Sequence, residues 1–320
     1  MIKAGVIGAG HLGKIHLGLL ETSKRYELIG FYDSNNKNAK ILSRDKGYRL
    51  FNSMDELIEA CDMIDIVTPT LSHHEVSLKA IAKKKHIFIE KPIANSVFEA
   101  KELTKAAQEK GVLGQVGHVE RFNPAFKAAR HAVTNPMFIE SHRLAEFNPR
   151  GTDVPVVLDL MIHDIDILLS VVNSKVKAVS ASGVSVISST PDIANARIEF
   201  ENGCVANLTA SRISLKKMRK TRFFQKDAYI SVDFLDRKVE IVKMKEAPEK
   251  PDEFAMILQN AEGQRKEIYF ENPVIQNSNA ILEELEAFSD AIESKNTPIV
   301  SLENGTASLN IAFQIIEAYS

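Results

Sequence analysis

Five short apolar runs alternate with stretches of helical periodicity through the first 120 residues: KAGVIG (3–8), ELIGFYD (27–33), MIDIVTP (63–69), HIFIEKP (86–92) and VLGQVGH (112–118). The runs are apolar throughout instead of polar at every second position, so strands made from them must be covered on both faces. Such strands, separated by helices, build a parallel sheet from βα units. The helix boundaries agree. Asn52-Ser53 precedes MDELIEA, Asn95-Ser96 precedes VFEAKELTKAAQEKG, and the latter ends on Gly111, as N-cap and C-cap chemistry requires.

Beyond about residue 122 the pattern changes. One helical run, NPAFKAARHAV, and one very apolar helix over about 155–171 lead into a long β-rich tract. VKAVSASGVSVI, ANARIEFENGCVANLTAS and AYISVDFLDRKVEIVKM alternate as an antiparallel sheet with one wet face does. Asn202-Gly203 between two such runs marks a hairpin. Two helices, NAILEELEAFSDAIES and ENGTASLNIAFQIIEAYS, close the chain. With 320 residues, 44% of them hydrophobic, there is material for two cores.

Several classes of function are disfavoured. A formal charge of −2 gives no reason to expect nucleic acid or an anionic membrane as partner. The basic run SRISLKKMRKTRFF, with Arg212, Lys216, Lys217, Arg219, Lys220 and Arg222, reads first as a solvated or edge-guarding segment and second as a receptor for a diphosphate. Cys61 and Cys204 have no CxxC spacing, so neither a disulfide framework nor a cysteine zinc site is expected, which fits a reducing cytoplasm. His73 and His74 are adjacent and project apart, so no metal site is expected. The N-terminus lacks a signal-peptide pattern, and no run approaches the roughly 20 apolar residues of a membrane helix. The expectation is a soluble cytoplasmic protein.

The glycines Gly8, Gly10 and Gly13 form GxGxxG directly after the first strand and at the start of a helix, with His11 and Leu12 between them. Backbone N–H groups and the helix dipole can hold a pyrophosphate there. Asp33, 20 residues after Gly13 at the end of the second strand, suits the hydroxyls of an adenosine ribose. The expected cofactor is therefore NAD, because a carboxylate repels the 2′-phosphate of NADP; Lys37 and Lys40 nearby moderate that preference. This makes 1–122 a Rossmann-type, doubly wound α/β domain, followed over 123–320 by an α+β domain with a large, mainly antiparallel sheet.

Thr68, Pro69 and His73 lie in one loop at the carboxyl ends of the strands, and Glu90, Lys91 and Pro92 in the next, where ligands bind in open parallel sheets. Beside a cationic nicotinamide, Lys91 would titrate near neutrality and exchange a proton; a solvated lysine paired with Glu90 is the plainer reading of the residues alone. Further on, DLMIHDIDILLSVV places Asp159, His163, Asp166 and Ser170 at i, i+4, i+7 and i+11, one polar stripe on an apolar helix, with only Asp164 off it. A helix so apolar is buried, and its polar groups must be paired or line a cleft.

GAGHLG, Asp33, TPTLSH, EKP, GHVERFNPAF and DLMIHDID together resemble the Gfo/Idh/MocA family of oxidoreductases, over roughly residues 5 to 166. The resemblance implies an NAD(P)-dependent oxidoreductase acting on a sugar, cyclitol or related alcohol/carbonyl pair. It implies that Lys91 contacts both cofactor and substrate, and that Asp159 and His163 are the acid/base pair, with the division of labour between Lys91 and His163 open. GHVERFNPAF is similar to members that oxidise nucleotide-linked amino sugars, which makes Arg121, and after it Asn123, substrate-contact candidates. The family also implies a homodimer or homotetramer through the C-terminal sheet. Two rival functions are a reductase of a non-sugar substrate, as biliverdin reductase is, and an NAD-binding sensor without turnover.

Overall fold

The computed structural model describes residues 1–148 and 154–319. They form two compact units: Met1–Phe122 with Asn279–Asn310, and Asn123–Ser278 with the residues from Ile311 onward. In the first unit, β1 (Ile2–Ile7), β2 (Tyr26–Tyr32), β3 (Met63–Ile66), β4 (His86–Glu90) and β5 (Gly114–Gly117) form a parallel sheet in the order β2-β1-β3-β4-β5. The order reverses between β1 and β3, which opens a crevice at their carboxyl ends. The helices α1 (His11–Thr22), α2 (Asn36–Lys46), α3 (Met54–Ala60), α4 (His73–Ala82) and α5 (Val97–Lys110) connect the strands. Their caps are those the sequence suggests: Ser53 accepts from the Glu56 N–H and Ser96 from the Glu99 N–H, while Gly111 ends α5 with a φ of 66°.

The second unit is a nine-stranded sheet. Its strands are β6 (Phe138–Leu144), β7 (Val176–Val184), β8 (Ile193–Phe200), β9 (Val205–Ser211), β10 (Met218–Gln225), β11 (Ala228–Asp233), β12 (Lys238–Glu246), β13 (Met256–Gln259) and β14 (Arg265–Glu271). They stand in the order β13-β14-β12-β11-β10-β6-β9-β8-β7, and every neighbouring pair is antiparallel except β6–β9. β6 alternates strictly, burying Ile139, Ser141 and Arg143. Gly203, at φ 86°, turns the hairpin between β8 and β9. The core on the inner face is filled from α6 (Pro124–Ala129), the strands, and the apolar helix, which begins with a π-helical turn at Val157–Met161 and continues as α7 (Ile162–Val171). The basic run is divided: residues 212–217 are the loop after β9, with Lys216 and Lys217 exposed as the solvated reading expects, while from Met218 onward it is β10, in the middle of the sheet.

The last two helices are α8 (Ala280–Ser294) and α9 (Leu302–Tyr319). The sequence division places both in the second domain, but residues 279–310 pack into the first unit. Leu285, Phe288 and Ala291 of α8 join the core that holds Phe88, Leu17 and Tyr26, and the Phe88 and Phe288 ring centroids are 6.3 Å apart. The Tyr26 hydroxyl donates to the Leu285 carbonyl at 2.6 Å. An amphipathic pattern shows that a helix has a buried face, not which sheet covers it.

Candidate active site

A cavity of about 600 Å³ opens at the carboxyl ends of the first unit's strands. It is lined by Gly8, Gly10, His11, Leu12, Asp33, Thr68, Pro69, Glu90 and Lys91, nine of the residues the sequence nominated for the cofactor. The other two, Gly13 and His73, do not line it. A Cβ on Gly13 would come within 2.0 Å of the Gly8 carbonyl oxygen, so Gly13 lets α1 close onto β1. Gly8 has a φ of 98° and its Cβ would meet the Val67 carbonyl at 2.5 Å, whereas the space above Gly10 is open. Gly10 is the N-cap of α1 with no side chain on the free N–H groups and no acidic residue in the first turn, which leaves them to an anion. Asp33 accepts from the Ala9 N–H at 2.6 Å and from the Asn35 N–H at 2.7 Å, so it fastens the glycine loop as well as facing the cavity. These features fit a dinucleotide: an open cradle for the pyrophosphate and a carboxylate one strand away.

His73 does not line the cavity, contrary to the sequence expectation. It is buried beneath the two loops, with Nδ1 2.9 Å from the Pro92 carbonyl and Nε2 2.9 Å from the Thr68 carbonyl, so it braces the loops from within. Burial lowers its pKa, opposed by the two carbonyls and Glu90. The Lys91–Pro92 peptide is cis.

Sequence reasoning missed a second buried histidine. His16 of α1 donates from Nδ1 to Asp65 Oδ2 at 2.8 Å and places Nε2 3.3 Å from Glu90 Oε1. His16 and Asp65 have no exposure at all. Burial acts against the imidazolium, but the two carboxylates outweigh it and push the His16 pKa up to about 10. The Asp65 pKa is raised by its own burial, against the pull of His16. The available signal was an aspartate inside the apolar run MIDIV, a residue that needs a partner wherever it is buried.

The second unit carries the other candidates. Asp159 sits in the π-turn and His163 in the first turn of α7, both half-buried. A π-turn bonds i to i+5, so the stripe read from the sequence does not run on one regular α-helical register. Asp166 is buried, and Ser170 Oγ donates to the Ile167 carbonyl at 2.6 Å. Asp164, the residue off the stripe, makes a buried two-pronged pair with Arg143, at 2.8 and 3.0 Å.

Three nominations change meaning. Asn123 caps α6 by accepting from the Ala125 N–H and donates from Nδ2 to the Phe234 carbonyl, so its amide is committed to the fold instead of to a substrate. Arg212 is buried and donates to the Val154 and Pro191 carbonyls at 2.7 and 3.1 Å, which removes it from any diphosphate receptor. Arg222 pairs with Glu140 across the strands at 3.0 Å. Arg121 stays half-exposed in a 3₁₀ turn, Val119–Phe122, after β5. Among the described residues no group of three His, Cys, Asp or Glu side chains stands ready for a metal ion. A second cavity, about 580 Å³, lies at the amino ends of β4 and β5 by His86 and Leu113; it has no glycine loop and no share in the residues above.

Residues 2–118 match the model of an oxidoreductase family with an NAD-binding Rossmann fold, and residues 102–230 match the GFO/IDH/MocA C-terminal domain. The chain is 38% identical over 245 residues to UDP-N-acetylglucosamine 3-dehydrogenase of Acidithiobacillus ferrooxidans, covering 75% of this chain and 76% of that protein. It is 29% identical over 234 residues to scyllo-inositol 2-dehydrogenase (NAD(+)) of Bacillus subtilis, covering 67% and 68%. A solved structure of the Acidithiobacillus enzyme superposes with a TM-score of 0.89 at 32% identity, over 99% of this chain and 97% of that one. Scyllo-inositol dehydrogenase of Lactobacillus casei, solved with NAD(H) and scyllo-inositol, shares the fold with a TM-score of 0.78 at 20% identity, over 100% of this chain and 97% of that one. The chain is a member of the Gfo/Idh/MocA family of NAD-binding oxidoreductases.

Proposed function

We propose that this chain is an NAD-dependent dehydrogenase of a sugar secondary alcohol, with a nucleotide-linked amino sugar as its substrate. The observation that carries the reading is the convergence of Gly10, Asp33 and Lys91 on one cavity, the cradle and the reactive end of a dinucleotide site. The substrate class rests on the 38% identity to a UDP-N-acetylglucosamine 3-dehydrogenase. NAD, when bound, supplies the hydride acceptor. His163, oriented by Asp159, removes the proton of the substrate hydroxyl as the hydride leaves the same carbon, and the Asp159 carboxylate stabilises the imidazolium that forms. The Lys91 ammonium stabilises the oxygen as its charge develops, and Arg121 contacts the substrate. In the other partition Lys91 is the base and His163 the stabiliser. NAD is preferred to NADP because Asp33 would repel a 2′-phosphate.

The test is turnover, followed by absorbance of reduced nicotinamide, on a panel of sugars and UDP-sugars. Lys91→Ala and His163→Ala should each lose about 100-fold or more in kcat while NAD binding is largely kept. Near-normal turnover in either variant overturns the assignment of that residue, and silence of the native protein across the panel favours a sensor or a non-sugar reductase.

The protein is also read as a homo-oligomer through the open face of the nine-stranded sheet. The register sets Phe138 beside Phe224, Phe224 beside Tyr229, Tyr229 beside Val242 and Val242 beside Phe270, an apolar row across five strands. The working compartment is read as the cytoplasm: both cysteines are free and buried, and among the described residues no helix is long and apolar enough to cross a membrane.

A further inference from the structure

We propose that His16 and Asp65 are positioning residues that fix Lys91 by way of the Glu90 carboxylate. The inference rests on the reading of Lys91 given above and assigns the groups beneath it. Two fully buried ionisable side chains in a nucleotide-binding core call for a reason, because a hydrophobic pair of similar volume is often at least as stable there. Their arrangement leads to the site. Asp65 comes from the middle strand β3, and His16 is the third residue after Gly13, on the face of α1 turned to the sheet. His16 lies edge-on to Phe88, which fixes its ring plane, and its two nitrogens face Asp65 on one side and Glu90 on the other.

Glu90 passes the constraint on. Its Oε1 faces His16, while its Oε2 accepts the backbone N–H of Lys91 at 3.1 Å. Room for that carboxylate comes from Gly117, its partner on β5: a Cβ there would lie 2.9 Å from the Glu90 carboxyl carbon. Glu90 and Lys91 both line the cofactor cavity, so the chain from β3 through α1 to β4 ends where the reaction is placed. The other titratable groups around it are Tyr26, whose hydroxyl is committed to the Leu285 carbonyl, and His73, which feels Glu90 and holds the Pro92 carbonyl.

The charge pattern is one imidazolium between two carboxylates. With the His16 pKa up at about 10, this state persists through neutral pH, and Glu90 keeps a cation at its buried oxygen. Remove the cation and the Glu90 carboxylate loses the partner of its Oε1 and turns toward solvent, which frees the Lys91 backbone N–H that its Oε2 holds.

The experiment uses the full chain in four forms: native, His16→Gln, the double variant His16→Gln/Asp65→Asn, and Glu90→Gln. The double variant guards against misfolding, since two amides replace the ion pair with a neutral hydrogen bond of similar shape. With NAD and UDP-N-acetylglucosamine as probe substrate, kcat should fall about 10- to 100-fold in all three variants while both KM values stay within about 3-fold. Independently of turnover, the acetylation rate of Lys91 in the protein without cofactor, resolved by mass spectrometry, should change about 3-fold or more in folded variants. Native kcat and native Lys91 acetylation in the double variant would overturn the proposal even if Lys91→Ala is inactive. Activity in Lys91→Ala would instead remove the reading on which the proposal rests.

Discussion

Asp33 does two things with one carboxylate. It fastens the glycine loop through the Ala9 N–H and its own turn through the Asn35 N–H, and it faces the cavity where a ribose would lie. A substitution meant to admit a 2′-phosphate therefore also loosens the cradle. Asp33→Ser should weaken NAD binding by about 10-fold or more, the scale of a lost hydrogen bond to a charged group, without a matching gain for NADP. Calorimetric titration with both nucleotides checks this, and a variant that binds NADP as tightly as the native protein binds NAD would contradict it. The site was legible where its signals are local: the glycines, Asp33, Thr68 and Lys91 all stand at fixed offsets from strand ends. It was illegible where the partner is remote. His16 and Asp65 are 49 residues apart, and nothing near either names the other. Asn123 shows the opposite error: an asparagine before Pro124 is an N-cap signal, and the nomination as a substrate contact passed over it.

At the scale of elements, the apolar helix carries a division of labour among its acids. Asp164 is held in a buried pair with Arg143 of β6, which ties the helix to the sheet, while Asp159 and His163 remain partly accessible. Removing one partner strands a buried charge. Asp164→Leu or Arg143→Met should each destabilise the protein by about 3–5 kcal/mol, and the double variant should be less destabilised than either single one. Chemical unfolding of the four proteins decides it; additive losses would mean that the pair is not coupled. Most elements were readable from periodicity, because buried parallel strands and half-wet antiparallel ones leave different patterns. The π-turn was not, since a composition of Val, Leu, Asp and Met fits either helix type. β10 was read as a solvated or edge-guarding segment because Arg219, Lys220 and Arg222 mask Thr221 and Phe223, which are the buried residues.

At the scale of the molecule, the nine-stranded sheet leaves an aromatic row on its outer face. Phe224 is 37% and Phe270 61% exposed, and Phe224 touches both Phe138 and Tyr229. The proposed homo-oligomer would bury this row. Sedimentation should find a dimer or a larger closed assembly, and Phe224→Glu should shift it toward monomer. A native protein that is monomeric at micromolar concentration would rule the interface out.

The packing of α8 into the first unit has a consequence for how the protein is made. Translation delivers the five-stranded sheet first, yet Leu285, Phe288 and Ala291, which complete its core over Phe88 and Tyr26, follow only after the whole antiparallel sheet has been synthesised. The nucleotide-binding half thus waits, with part of its core uncovered, until more than 150 further residues have left the ribosome. Its holding pattern during that interval is where chaperones would find this chain, and a stop codon after the second sheet would spoil the first.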